Sequence, residues 1–161
     1  MTPSTDEAEA VRIVREIAVP PAKVYDAFVD PEQLLRWIGP LGPQHTKLEL
    51  DPRMGGRADI WMERDGGKSG SFHWEFVEMD RPRRLVMSWT FEPGEGPEDG
   101  SSSRLTIDLV EKGPELTELT LVHDRLGEIS PEMRASVNEG WTRITGRLVG
   151  YLESGDTGLA A

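Results

Sequence analysis

The chain has 161 residues, a hydrophobic fraction of 37% and a mean hydropathy of −0.46, which suits one globular domain. A formal charge of −11 argues against nucleic acid or an anionic membrane surface as partner, and no apolar run approaches the roughly 20 residues that span a bilayer. No cysteine is present, which excludes disulfides and thiolate chemistry, and the polar, acidic start MTPSTDEAEA is unlike a targeting peptide, so a cytoplasmic location is expected.

Residues 1–9 and 155–161 lack apolar periodicity and read as flexible tails around a single domain at 10–154. Val11, Ile13 and Ile17 share one face of a first strand, with Arg12 and Glu16 opposite. Pro20 and Pro21 stop that strand. Val24, Ala27 and Phe28 then recur at helical spacing, with Pro21 in the first turn, where a missing N–H costs nothing. Asp30 caps a second short helix that begins at Pro31 and carries Leu34, Leu35 and Trp37.

From Leu48 to His123 the period is two. Leu48 and Leu50 form one apolar row, then Ala58, Ile60 and Met62, then Phe72, Trp74 and Phe76, then Leu85, Met87, Trp89 and Phe91. Leu105, Ile107 and Leu109 follow, and Leu119, Leu121 and His123 close the series. Short turns such as Asp65-Gly66-Gly67 and Asp80-Arg81-Pro82 join these strands, so the sheet is antiparallel. The stretch Glu92–Ser103, rich in Gly, Pro, Ser and acids, reads as a loop without core residues. Arg81, Arg83 and Arg84 are the one local basic patch and read as a solvated strand connection beside Asp80.

After Ser130 and Pro131 the period changes again. Val137, Trp141, Ile144, Leu148, Tyr151 and Leu152 lie on one face of a helix about six turns long, with Arg134, Glu139, Arg143 and Arg147 on the other. Gly140, Gly146 and Gly150 lie inside it at a cost of about 1 kcal/mol each, so close packing is expected to explain at least one. The order β-α-α-β6-α defines an α+β domain in which the alternating sheet and the long helix bury each other.

Four segments are similar to the START-like, or SRPBCC, helix-grip superfamily: VREIAVPPAKVYDAFVDPEQLLRWIGP, DPRMGGRADIWM, GSFHWEFVEMDRPRRLVMSW and NEGWTRITGRLVGYLES. More narrowly, the chain resembles the group related to the C-terminal domain of the ATPase activator of the 90-kDa heat-shock chaperone. The resemblance covers nearly the whole chain and implies a curved seven-stranded sheet wrapped round the C-terminal helix, with an apolar cavity between them. The superfamily includes lipid carriers, hormone receptors, aromatases, cyclases and chaperone cofactors, so fold alone leaves function open.

Small-molecule sites are concave and mostly apolar, with a few polar groups. The candidate ligand-binding residues are Ile60, Met62, Phe72, Trp74, Met87, Trp89, Ile107, Leu121, His123, Trp141 and Ile144, with Trp37 and His45 at the cavity mouth. Most of these would also serve as plain core. His123 shares the inward parity of Leu119 and Leu121, so it either orients a ligand, acts as a general base, or is a satisfied core histidine. Trp141 either plugs the core or forms one wall of a pocket. Three dispersed histidines with no ligand spacing point to no metal, and no glycine-rich phosphate loop, GxSxG elbow or cofactor motif occurs.

The expected function is therefore non-catalytic binding of a hydrophobic or aromatic small molecule, with no cofactor. Whether any reaction is catalysed stays open, with the balance toward binding. The alternative is a cyclase-, aromatase- or hydrolase-like enzyme using His123 together with Asn138, Arg143 or His45. A third reading is a chaperone-cofactor-like interaction module. A chaperone partner is not expected, because the activator carries an additional N-terminal domain without counterpart here. Homodimerisation through an unpaired sheet edge stays open.

Overall fold

The computed structural model describes residues 10–39, 44, 46–64, 67–91, 103–125 and 130–155, with the backbone alone at 64, 67–72 and 91. Strand β1 (Val11–Ile17) leads through Pro20 into helix α1 (Pro21–Val29) and helix α2 (Pro31–Trp37). Asp30 ends α1 and starts α2, its Oδ1 accepting the Glu32 N–H at 3.0 Å. Six strands follow: β2 (Thr46–Leu50), β3 (Arg57–Arg64), β4 (Gly67–Asp80), β5 (Arg84–Phe91), β6 (Ser103–Gly113) and β7 (Leu116–Asp124). Helix α3 (Pro131–Ser154) ends the fold.

Neighbouring strands in the chain pair antiparallel, and β1 returns to pair with β7, giving the order β1-β7-β6-β5-β4-β3-β2. This is the helix-grip architecture that the resemblance implies. Direct partners in the register carry the inward rows. Leu48 faces Ile60, Ala58 faces Trp74, Trp74 faces Trp89, and Leu105 faces His123. The opposite face of the same strands carries Lys47, Glu49, Asp59 and His73, and His73 Nδ1 lies 2.7 Å from Asp59 Oδ1 there.

Helix α3 begins where the Ser130 hydroxyl accepts the Met133 N–H at 3.0 Å, with Pro131 in the first turn. It stops at Gly155, whose φ of 77° is left-handed and whose N–H reaches the Tyr151 carbonyl. The helix lies nearest β1 and α2 and is strapped along its length. Arg134 donates to the Ala10 carbonyl at 2.9 Å, and Glu153 accepts the Ala18 N–H at 2.9 Å. Between these ends Arg15, on the inward face of β1, donates to Thr145 Oγ1 and to the Thr142 carbonyl.

Arg147 departs from expectation. The helical wheel assigns it to solvent, yet it donates to the carbonyls of Trp37 and Ile38 at 2.9 and 3.1 Å. Those carbonyls end α2, where the helix dipole is negative and the last C=O groups lack intrahelical partners. Burial, with the neighbouring Arg143 guanidinium, lowers the Arg147 pKa. Close packing explains neither Gly140 nor Gly146, since a Cβ at either would meet nothing within 4 Å.

Candidate functional site

The concave face carries a continuous aromatic layer. Phe76 meets Trp74 edge-on at 6.4 Å, Trp74 stacks on Trp89 at 5.2 Å and 14°, and Trp89 meets Trp141 edge-on at 5.1 Å. Strand pairing alone places Trp74 beside Trp89. Trp141 comes from α3, which lies nearer the other side of the sheet, and its large ring spans the gap. Each such ring pair contributes about 0.5–1.5 kcal/mol beyond area burial. The layer therefore holds α3 at a set distance from the sheet.

His123 sits in this layer, completely buried, with its ring 5.9 Å from both Trp89 and Trp141. Trp141 Nε1 donates to His123 Nδ1 at 2.9 Å, and His123 Nε2 lies 2.6 Å from Ser103 Oγ. An indole N–H only donates, so Nδ1 must accept, and the one proton of the neutral ring sits on Nε2. That proton goes to Ser103 Oγ, and the Ser103 hydroxyl donates on to the Trp89 carbonyl at 3.3 Å. The result is a directed chain, Trp141 to His123 to Ser103 to Trp89, in which every member has one role. Burial pushes the His123 pKa down to about 3. The general-base option for His123 fails on this geometry: Nδ1 is occupied by the Trp141 N–H, and the ring resists protonation near neutrality.

Ser103 corrects the assignment of Glu92–Ser103 as a loop without core residues. Ser103 opens β6, is 2% exposed and faces Trp89 across the strands. Its parity with Leu105 and Ile107 was the available signal. Residues 92–102, read as the rest of that loop, lie outside the described residues.

Ile60, Met62, Trp74, Met87, Trp89, Ile107, Leu121 and Trp141 are all buried, and the register brings the strands of the first seven together on one face. Ile144 is half-buried. Trp37 departs from the cavity-mouth assignment: it is 1% exposed, packs edge-on against Phe28 at 4.9 Å, and donates its indole N–H to the Ala27 carbonyl. It locks α2 onto α1. His45 and the Phe72 side chain lie outside the described residues. Asn138 and Arg143, offered as polar partners for His123, are exposed on the outer face of α3.

One part of the concave face is less completely covered. Leu48 and Leu50 of β2 share the inward parity of Ile60 and Ala58, yet both are half-buried. On α3, Met133, Val137, Gly140 and Ile144 form a half-buried stripe beside the fully buried Trp141, Thr145 and Leu148. These inward-facing groups keep partial contact with solvent. Arg15, a charged group on the inward parity of β1, is engaged by Thr145 and Thr142. Among the described residues no group of three His, Asp or Glu side chains is placed to hold a metal ion, and no helix is long and apolar enough to cross a membrane.

A family model described as activator of Hsp90 ATPase homolog 1-like protein matches residues 18–153. Solved structures share the fold. Protein CV1439 from Chromobacterium violaceum is 24% identical with a TM-score of 0.70, over 91% of this chain and 98% of that one. CalU16 from Micromonospora echinospora is 26% identical with a TM-score of 0.64, over 90% of this chain and 76% of that one. The Aha1 dimer from Colwellia psychrerythraea is 18% identical with a TM-score of 0.68, over 91% of this chain and 98% of that one. Among curated proteins no sequence matches.

Proposed function

The chain belongs to the activator of Hsp90 ATPase homolog 1-like family, and we propose that it binds an apolar, aromatic small molecule between the sheet and α3 without catalysing a reaction. The observation that carries this reading is the set of half-buried apolar groups packed against the core, Leu48 and Leu50 on β2 and Val137 and Ile144 on α3, together with the Trp74–Trp89–Trp141 layer. A flat aromatic ligand would gain stacking on Trp89 or Trp141 and remove the exposed part of those groups from water. Polar groups nearby support binding over catalysis. His123, Ser103, Thr145 and Arg15 each spend hydrogen-bonding capacity on other protein groups.

Titration with the neutral probe N-phenyl-1-naphthylamine tests the proposal. Saturable probe fluorescence with quenching of tryptophan emission is expected, with a dissociation constant on the order of 10 μM or tighter. Ile144→Trp adds bulk among those groups and is expected to weaken binding at least about tenfold while the unfolding midpoint holds or rises. Absence of saturable binding, or binding that Ile144→Trp leaves unchanged, overturns the proposal.

A further inference from the structure

The two edges of the sheet are treated differently. At β1, Arg134 and Glu153 of α3 bond the backbone of Ala10 and Ala18, the residues that flank the strand. At β2, helix α2 packs alongside the strand, but among the described residues no helix side chain is seen to bond the backbone of Leu48 or Leu50. The Asp51 N–H donates to the Arg57 carbonyl at 2.9 Å, in the same register that pairs Glu49 with Asp59 and Lys47 with Trp61. Hydrogen-bonded and non-bonded pairs alternate in an antiparallel ladder. Lys47 and Glu49 therefore turn their backbone groups toward β3, and Leu48 and Leu50 turn theirs toward the outer edge of the sheet.

The side chains add a second observation. Lys47 and Glu49 are exposed and have no ion-pair partner among the described residues. Glu49 faces the like-charged Asp59, and Asp59 is already held by His73 and approached by Arg57. Among the described residues neither charge at 47 or 49 is answered.

We propose that β2 is a self-complementary interface for a second copy of this chain, paired antiparallel about a two-fold axis at Leu48. In that register Leu48 forms a bonded pair with its own copy, which matches the direction of its free backbone groups. Lys47 then lies opposite Glu49 of the second copy at a non-bonded position, where opposed side chains approach most closely. Neighbouring registers with the same backbone phase fail on charge: centring on residue 47 opposes two lysines, and centring on residue 49 opposes two glutamates. The half-buried Leu48 gains cover from its own copy, and Leu50 lies opposite Thr46 of the second copy. The interface is small, so the association is weak and concentration-dependent. The inference goes beyond the proposed ligand binding and does not depend on it.

Sedimentation velocity from about 10 μM to about 1 mM, with amide chemical shifts followed over the same range, tests it. Reversible dimerisation is expected, with shifts confined to β2 and its β3 neighbours, weakening as salt rises. Lys47→Glu and Glu49→Lys each oppose like charges and are expected to weaken self-association at least about tenfold. Circular dichroism checks that each variant stays folded. Mixing the two variants restores both charge pairs, so the mixture is expected to dimerise where each alone does not. A chain that stays monomeric to the top of the range overturns the proposal. So does a dimer indifferent to either substitution, or shifts centred elsewhere.

Discussion

His123 owes its protonation state to its neighbours. The fold holds a neutral ring, because protonation at Nδ1 would displace the Trp141 N–H and place a charge among tryptophans. An unfolded histidine titrates near 6.5 and the folded one near 3. The unfolded state therefore binds more protons between those values. The stabilisation is complete above about pH 6.5 and falls as pH drops from there, by up to about 1.4 kcal/mol per unit. Urea midpoints measured between about pH 7.5 and pH 4.5 are expected to fall more steeply in the native chain than in His123→Gln. Nitrogen chemical shifts of the ring should report the Nε2–H tautomer across that range. Parity alone placed His123 inward. It could not supply Ser103, hidden at the end of a loop-like stretch, or show that Trp141 donates to the ring.

At the scale of elements, α3 is bounded by local signals and oriented by distant ones. Ser130, Pro131 and Gly155 set its ends, and the spacing of Val137, Trp141, Ile144 and Leu148 sets its face. Arg147 shows where the helical wheel stops being informative. Its long side chain leaves the outer face to reach the end of α2, a carbonyl cluster 109 to 110 residues away in sequence. The glycines separate the same two causes. Gly140 and Gly146 have open space at the Cβ position, so Gly140→Ala and Gly146→Ala are expected to stabilise the protein by about 0.5–1 kcal/mol each. Gly56 is the reverse case. A Cβ there would fall 2.1 Å from the Asp51 carbonyl oxygen, which is backbone and cannot yield cheaply. Gly56→Ala is expected to destabilise by about 1–3 kcal/mol. Thermal unfolding of the three variants decides all three signs.

Over the whole molecule, the aromatic layer sets the spacing between helix and sheet, and the proposed ligand would cover the half-buried apolar groups on either side. A ligand that binds only the folded chain should raise the unfolding free energy by about 2.7 kcal/mol at a hundredfold excess over its dissociation constant. Thermal shift with and without N-phenyl-1-naphthylamine measures this, and Ile144→Trp should remove the response. Alternating apolar residues determined the strands, and a change of period determined the helix. Because a strand pleats every two residues and a helix turns every 3.6, the inward faces followed as well. Those periods are local, so they were legible without the fold. Contacts between separate elements were not. Whether Trp141 meets His123, where Arg147 ends, that Trp37 serves α1, and that β2 ends the sheet depend on how the seven strands curve and where the helix crosses them. Only the tertiary structure decided these, because side-chain reach and burial are properties of the assembled layers rather than of any one segment.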